Sequence, residues 1–298
     1  MFVLLGSNGQ ITSQLARLVL AARHRVRVLG RGASHLAPLA QAGAEVAHGE
    51  PADAEFLTRA FAGATAIYTM IPPCYDEHDM RGAQDRIGKA IASALRKVRG
   101  ARVVNLSSIG AELPQGTGPI EALHAQEQRL DGIDGIDVLH LRPGSYMENL
   151  LPAAAAVAAT GVLHGLEAPD ARIPMVATRD VAAVAARELC TPKRRGALLL
   201  HAPRHVTMRE AAALLGAAVG RPGLPYVQST AIEGKAELRA HGFSASAAEQ
   251  IETLARWLST SPLASALAAP VEVQPTTIEA FAREVFRPAY SSAAGAVA

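Results

Sequence analysis

Cysteine is almost absent from this chain of 298 residues, where Cys74 and Cys190 are the only two. Two thiols cannot supply the disulfide framework of a small secreted domain. No cationic stretch or cleavage site precedes the first glycines, so reduced thiols and a cytoplasmic setting are the expectation. Aromatic residues are only 4% of the chain although hydrophobic residues are 49%, with alanine supplying much of the difference, which predicts close-packed helices. An excess of one charge is missing as well. The 29 basic and 27 acidic residues leave a net charge of +2 and no electrostatic footprint for nucleic acid. The basic run Lys193-Arg194-Arg195 lies between a proline and a glycine and reads as a solvated loop. There is no long apolar run either: the alanine-rich stretch Leu151 to Leu163 is too short to span a bilayer and contains Pro152 and Gly161, so no membrane span is expected.

What is present begins at the first residues. Phe2 to Leu5 reads as a buried strand, Gly6-Ser7-Asn8-Gly9 as a turn, and Ile11 to Arg23 as a helix. Strand, glycine turn and helix form a phosphate cradle, because glycines admit the backbone close to a pyrophosphate and the first N–H groups of the helix face the anion. The pattern G-x-x-G-x-x-T, with Gly6, Gly9 and Thr12, is weak evidence alone. Its place directly after a strand, with a second strand at Arg25 to Leu29, gives it weight, since that spacing is a βαβ unit. Gly6, Ser7, Asn8, Gly9, Gln10 and Ile11 are therefore the expected pyrophosphate contacts.

Gly30-Arg31-Gly32 ends the second strand. An acid there would accept from the ribose 2′-OH of NAD, whereas an arginine favours the 2′-phosphate of NADP. Arg31 predicts NADP(H) in preference to NAD(H), with Ser34 and His35 as weaker phosphate partners. Further strands are expected at Glu45 to Ala47, Ala66 to Ile71, Ala101 to Leu106, Asp137 to Leu141 and Leu198 to His201. Helices are expected at His35 to Ala42, Ala52 to Phe61, His78 to Lys97, from near Ile120, and from Thr178 to Leu189 with Thr178 as N-cap. The alternation argues for a doubly wound, mainly parallel α/β sheet of Rossmann type. Met70, Ile71, Pro72 and Pro73 would line the cofactor, and Ser107 closes another ligand-facing strand. His78 and Asp79 read as helix-start chemistry, and no metal site is expected.

Residues 1–150 are expected to form the nucleotide-binding domain, with 177–202 returning to it. Residues 151–176 and 203–288 would make a smaller, α-rich substrate-binding part, with helices at Ala153 to Thr160, Thr207 to Val219, Ala231 to His241, Ala245 to Ser259 and Ile278 to Phe286. The small, polar residues 289–298 are expected to fray.

With these residues set out, the chain resembles the NmrA-like group of atypical short-chain dehydrogenase/reductase proteins, which includes NADPH quinone reductases and nucleotide-sensing regulators. The resemblance rests on GSNGQIT at Gly6 to Thr12, Arg31, GAEVAHGE at Gly43 to Glu50, and MIPP at Met70 to Pro73. It continues through NLSSIGAE at Asn105 to Glu112, LRPGSYMENLL at Leu141 to Leu151, IPMVATRDVAAVAA at Ile173 to Ala186, and VGRP at Val219 to Pro222. Thr12 is larger than the family's usual small residue, and Glu50 stands where an Asp is common. The Tyr-x-x-x-Lys pair of typical short-chain reductases is missing from the corresponding stretch, Ile120-Glu121-Ala122-Leu123-His124. His124 falls where relatives have the lysine and is a candidate for the ribose or the substrate.

A ketone reduced to an alcohol needs a proton delivered to the developing alkoxide, so losing the tyrosine would cost that reaction about 10²- to 10⁴-fold. A quinone reduced by hydride gives a stabilised anion that solvent can protonate. The resemblance thus implies an NADPH-dependent reductase of quinone-like or other conjugated small molecules, with Tyr75, Tyr146 and Asn149 at the substrate pocket and His124 and Tyr146 as polar contacts or proton donors. The alternative is a non-catalytic NADP(H)-sensing regulator acting through a protein partner. A homodimer is compatible with either.

Overall fold

The computed structural model describes residues 1–6, 9–260 and 269–297. Ser7 and Asn8 of the expected cradle lie outside them. Eight parallel strands make the central sheet. In chain order the first six are β1 (Phe2–Leu5), β2 (Val26–Gly30), β3 (Glu45–His48), β4 (Ala66–Met70), β5 (Arg102–Leu106) and β6 (Asp137–Pro143). Across the sheet the order is Val271–Val273, Gly196–His201, β6, β5, β4, β1, β2, β3. The order reverses between β1 and β4, whose carboxyl ends open a crevice, the place where doubly wound sheets bind ligands.

The sheet is apolar on both faces because helices cover both. On one side α1 (Gln10–Ala21), α2 (Ala33–Gln41) and α7 (Thr178–Cys190) pack on Leu4, Val28, Tyr68, Val104 and Leu141. On the other, α3 (Ala54–Phe61), α4 (Met80–Leu95) and α5 (Ile120–Asp131) cover Val3, Leu5, Ile67 and Val103. Helix α1 buries Ile11, Leu15, Ala16 and Val19 and stops where Arg23 turns left-handed, at φ +64°. Asp79 caps α4, accepting from the Gly82 N–H at 2.9 Å, so that helix begins at Met80 rather than His78.

A second core gathers Met147, Leu150, Val157, Met175, Val206, Leu215, Phe281 and Phe286. It is built by α6 (Ala153–Thr160), α8 (Met208–Ala218), α11 (Ile278–Phe281) and α12 (Arg287–Val297). Residues 289–297, expected to fray, are instead helical: Ala289 and Tyr290 pack on this core, and the Tyr290 hydroxyl accepts from Arg221 Nε at 2.8 Å. Two more helices, α9 (Ala231–Ala240) and α10 (Ala245–Thr260), form a cap. Trp257 of α10 lies on Gly110, and the α10 backbone at Gln250 lies on Gly118, both in the chain that follows β5.

At the opposite, amino edge the basic run is neutralised. Arg194 bonds Glu188 at 3.1 Å and Glu272 at 2.9 Å, Arg195 bonds Asp137 at 2.9 Å, and Arg102 joins Asp137 to the fully buried Glu188. No helix among the described residues is long and apolar enough to cross a membrane.

Candidate active site

The glycine turn stands at the switch point. Gly6 has φ +111°, and a Cβ there would lie 3.2 Å from Thr12 Oγ1 and 3.4 Å from Met70 Sδ, so both the conformation and the space call for glycine. Gly9 is the N-cap of α1 and offers no side-chain cap, and no acid stands in the first turn. The first helical bond runs from the Ser13 N–H to the Gly9 carbonyl at 3.1 Å. The N–H groups of Gln10, Ile11 and Thr12 find no acceptor among the described residues. Among the described residues these three donors are unmet, and such donors at the positive end of a helix dipole fit a pyrophosphate. Ile11 is buried beneath them and Gln10 exposed.

The rim on either side of this turn comes from β2 and β4. Arg31 follows β2, is exposed, and makes no ion pair among the described residues. Met70 packs against Gly6, Ile71 is buried, Pro72 is half-buried and Pro73 is exposed. Cys74 then adopts φ +56°, with its thiol donating to the Pro72 carbonyl at 3.3 Å. Burial first, then the Glu77 carboxylate, push that thiol up to about 11, while the Arg31 guanidinium opposes them. Arg31 and the β4 loop therefore flank the glycine turn within electrostatic reach of each other.

Tyr146 lies within electrostatic reach of Tyr75. Burial, and next the Tyr75 and Glu148 groups, hold its hydroxyl well above the ordinary phenol value. Tyr68, wholly buried in β4, carries a hydroxyl without a hydrogen-bond partner among the described residues, between Thr12 and Tyr146. Asn149 is exposed on the 3₁₀ turn Met147–Leu150.

Glu148 was not singled out by sequence. Its two carboxylate oxygens each accept from the Thr178 N–H at 3.0 Å, and one also accepts from the Thr178 hydroxyl at 2.7 Å. Thr178 was expected as the N-cap of α7. The cap residue is Ala177, and the oxygen that a capping side chain would supply comes from Glu148, 30 residues earlier. Gln14 donates to the Thr178 hydroxyl at 3.4 Å and so ties α7 to α1.

Ser107 and His124 are committed elsewhere. The Ser107 hydroxyl donates to Glu127 at 2.5 Å, and Glu127 also receives Arg142 through Nε at 3.0 Å and Nη2 at 2.5 Å. Burial would lower the Arg142 guanidinium, but Glu127 and then Glu112 outweigh it and hold the group above its ordinary value. The His124 Nδ1 N–H donates to the Ala111 carbonyl at 2.8 Å. The structure thus gathers Gly6, Gln10, Ile11, Arg31, Met70 to Pro73, Tyr75 and Tyr146 along the β1–β4 crevice. Ser107 faces α5. Of two surface clefts, one of about 350 Å³ at Arg17 and Arg23 and one of about 490 Å³ at Thr230 and Arg256, neither lies on this crevice and neither gathers the groups just described.

The chain is 27% identical over 297 residues to an NAD(P)H azoreductase of Xenophilus azovorans, covering 99% of this chain and 100% of the relative. It is 30% identical over 224 residues to the (4-alkanoyl-5-oxo-2,5-dihydrofuran-3-yl)methyl phosphate reductase of Streptomyces griseus, covering 74% of this chain and 75% of that one. Among solved structures, an Escherichia coli NADPH-dependent quinone oxidoreductase complexed with NADPH shares the fold with a TM-score of 0.74 at 21% identity, over 96% of this chain and 100% of the other. The profile of the NmrA-like family matches residues 2–282, and with the crevice, the glycine turn and the doubly wound sheet in place, the chain belongs to the NmrA-like family.

Proposed function

We propose that the protein is an NADPH-dependent reductase of quinone-like or other conjugated small molecules. The observation that carries this reading is the open N-terminus of α1 at the β1–β4 switch point, with Arg31 beside it. Gly6, Gly9 and the first N–H groups of α1 would hold the pyrophosphate, Arg31 the 2′-phosphate, and Met70 to Pro73 the wall along the dinucleotide. Arg31 is the basis for preferring NADPH to NADH. Bound NADPH supplies a hydride to the acceptor.

The chain's own groups bind and orient rather than deliver strong acid–base chemistry. The five tyrosines are followed four positions on by Pro72, Asp79, Leu150, Thr230 and Ala294, so no Tyr-x-x-x-Lys pair exists anywhere in the sequence. Tyr146, protonated at neutral pH, can donate a hydrogen bond to an acceptor oxygen and leave its protonation to water. His124 has Nδ1 committed to the Ala111 carbonyl and only Nε2 left to meet a ligand. Such a site suits an acceptor whose reduced form is a delocalised anion. Relatives named as an azoreductase and a quinone oxidoreductase support the same class. NADPH oxidation by the purified protein across quinones and azo dyes tests the reading, and no turnover over the whole panel would overturn it.

The missing pair and the sequestered Ser107 hydroxyl favour one second reading, a regulator that binds NADP(H) and acts through a protein partner. It predicts discrimination between NADPH and NADP⁺ with no multiple turnover.

A further inference from the structure

Aromatic side chains are scarce, yet two of them meet over the crevice. Tyr75, in the loop after β4, stacks on Phe243 with ring centroids 4.4 Å apart and planes 25° apart. The second half of the pair comes from the cap, 168 positions further along the chain. Phe243 is set there by a left-handed helix stop. Gly242 has φ +87°, its N–H bonds the Arg239 carbonyl, and the Phe243 N–H bonds the Leu238 carbonyl. Ser244 next donates its N–H to the Tyr75 carbonyl at 2.8 Å, and the Met80 N–H donates to Ser246 Oγ at 3.3 Å. The contact closes the cap over the loop.

The element on one side of this contact is lightly held. Helix α9 has a single buried residue, Gly234, and its Ile232 is 81% exposed. A helix that buries so little opposes local opening with little free energy. By contrast α10 is anchored by Trp257 and Leu258 in an apolar cluster with Ile109 and Ile120. The weak point of the cap is therefore the α9–α10 turn that carries Phe243.

We propose that Phe243 is a gate and a specificity-determining residue: a planar aromatic acceptor stacks on the Tyr75 ring in the place that Phe243 occupies in the closed cap. The inference rests on the reductase reading for its acceptor class and adds how the acceptor enters. Tyr75 is partly exposed, and the Phe243 ring stacked on it must leave before another ring takes its place, so this stacking platform carries its own internal competitor. A saturated, puckered molecule of equal size gains no such contact. Tyr146, within electrostatic reach of Tyr75, is the nearest candidate among the sequence-predicted residues for a hydroxyl donated to an oxygen on the bound ring.

An internal competitor reduces apparent affinity by the fraction of time the gate is shut. Removing each partner of the stack must then act in opposite directions. With the full chain saturated in NADP⁺, so that no turnover occurs, binding of 1,4-naphthoquinone is read by quenching of Trp257, the only tryptophan. Phe243→Ala should bind it roughly two- to tenfold more tightly, Tyr75→Ala more weakly by a similar factor, and Phe243→Tyr, which keeps the stack, as the wild type does. Cyclohexanone should bind no variant better than another, and NADP⁺ affinity should stay unchanged. Equal weakening in both alanine variants, no change in either, or no naphthoquinone binding by any of the proteins would overturn the gate. Opposite shifts without NADPH turnover would keep the gate and refute the reductase reading.

Discussion

Two helices start side by side at the carboxyl edge of the sheet, and they meet their N-termini in opposite ways. Helix α7 is capped by its own chain: Glu148 accepts from its first N–H, that of Thr178, and Asp180 in its first turn accepts from the Thr276 N–H at 3.1 Å and hydroxyl at 3.0 Å. Among the described residues helix α1 has no acid in its first turn and no side-chain cap. Both carry the same dipole and the same unmet donors. The difference lies in whether the chain supplies its own anion. Where it does, the helix end is a fixed joint, tied through Thr178 and Gln14 to its neighbour. Where it does not, the end is left for a ligand. In the reading proposed above, an anion at this edge binds at α1.

The contrast can be broken from either side, and the largest effect is expected at the open end. Gly6→Ala forces a side chain into a left-handed conformation against Thr12 and should weaken NADPH binding up to roughly a hundredfold by calorimetry, since such strain costs on the order of 1–3 kcal/mol. Arg31→Ala should cost NADPH about 2 kcal/mol, the worth of a charged hydrogen bond, and leave NADH unchanged. Equal losses for both nucleotides would refute the role given to Arg31.

At the closed end, Glu148→Ala should lower stability by about 1–2 kcal/mol in urea unfolding, as loss of a helix cap does. Glu148→Gln, which keeps an acceptor oxygen, should recover most of that. If Glu148→Ala instead bound inorganic phosphate no better than the wild type while losing no stability, the closed end would be no anion site at all. Thr178→Val should cost about 1 kcal/mol, one hydrogen bond, and loosen α1 against α7.

The smallest effect at neutral pH belongs to the phenols between the two ends. Tyr68 and Tyr146 are raised above the ordinary value of 10.0, foremost by burial. Their neutral forms are favoured in the folded state, so this contribution to stability is full below pH 10 and lost as pH rises from there toward their native values. Urea midpoints should not change between pH 7 and 9 on their account and should fall above about pH 10. Tyr146→Phe should soften that fall.

Much of the open end was legible without coordinates. A strand of four apolar residues, two glycines and a helical period occupy contiguous positions, and each follows from local backbone preference. The closed end was misread for the complementary reason. Thr178 looks like a cap because it is a threonine before a helix, but the group that satisfies that end is Glu148, brought there by pairing of Ser145–Tyr146 with Met175–Val176. Val271–Val273 went unread as a strand because three residues carry no period; pairing with Leu199–His201 defines it. The fraying expected after Pro288 was also overturned from a distance, by the second core that holds Ala289 and Tyr290.

The sequence by itself determined the alternating α/β plan, the helix α1 that follows β1 and the glycine at position 6 that its positive φ requires, because periodicity and glycine backbone freedom act over a few residues. Only the tertiary structure decided which helix end stays open, that Ser107 is spent on Glu127, and that Phe243 lies over Tyr75. Those outcomes depend on groups 20 to 168 positions apart, and what joins them is the closure of the fold, which no local pattern of residues records.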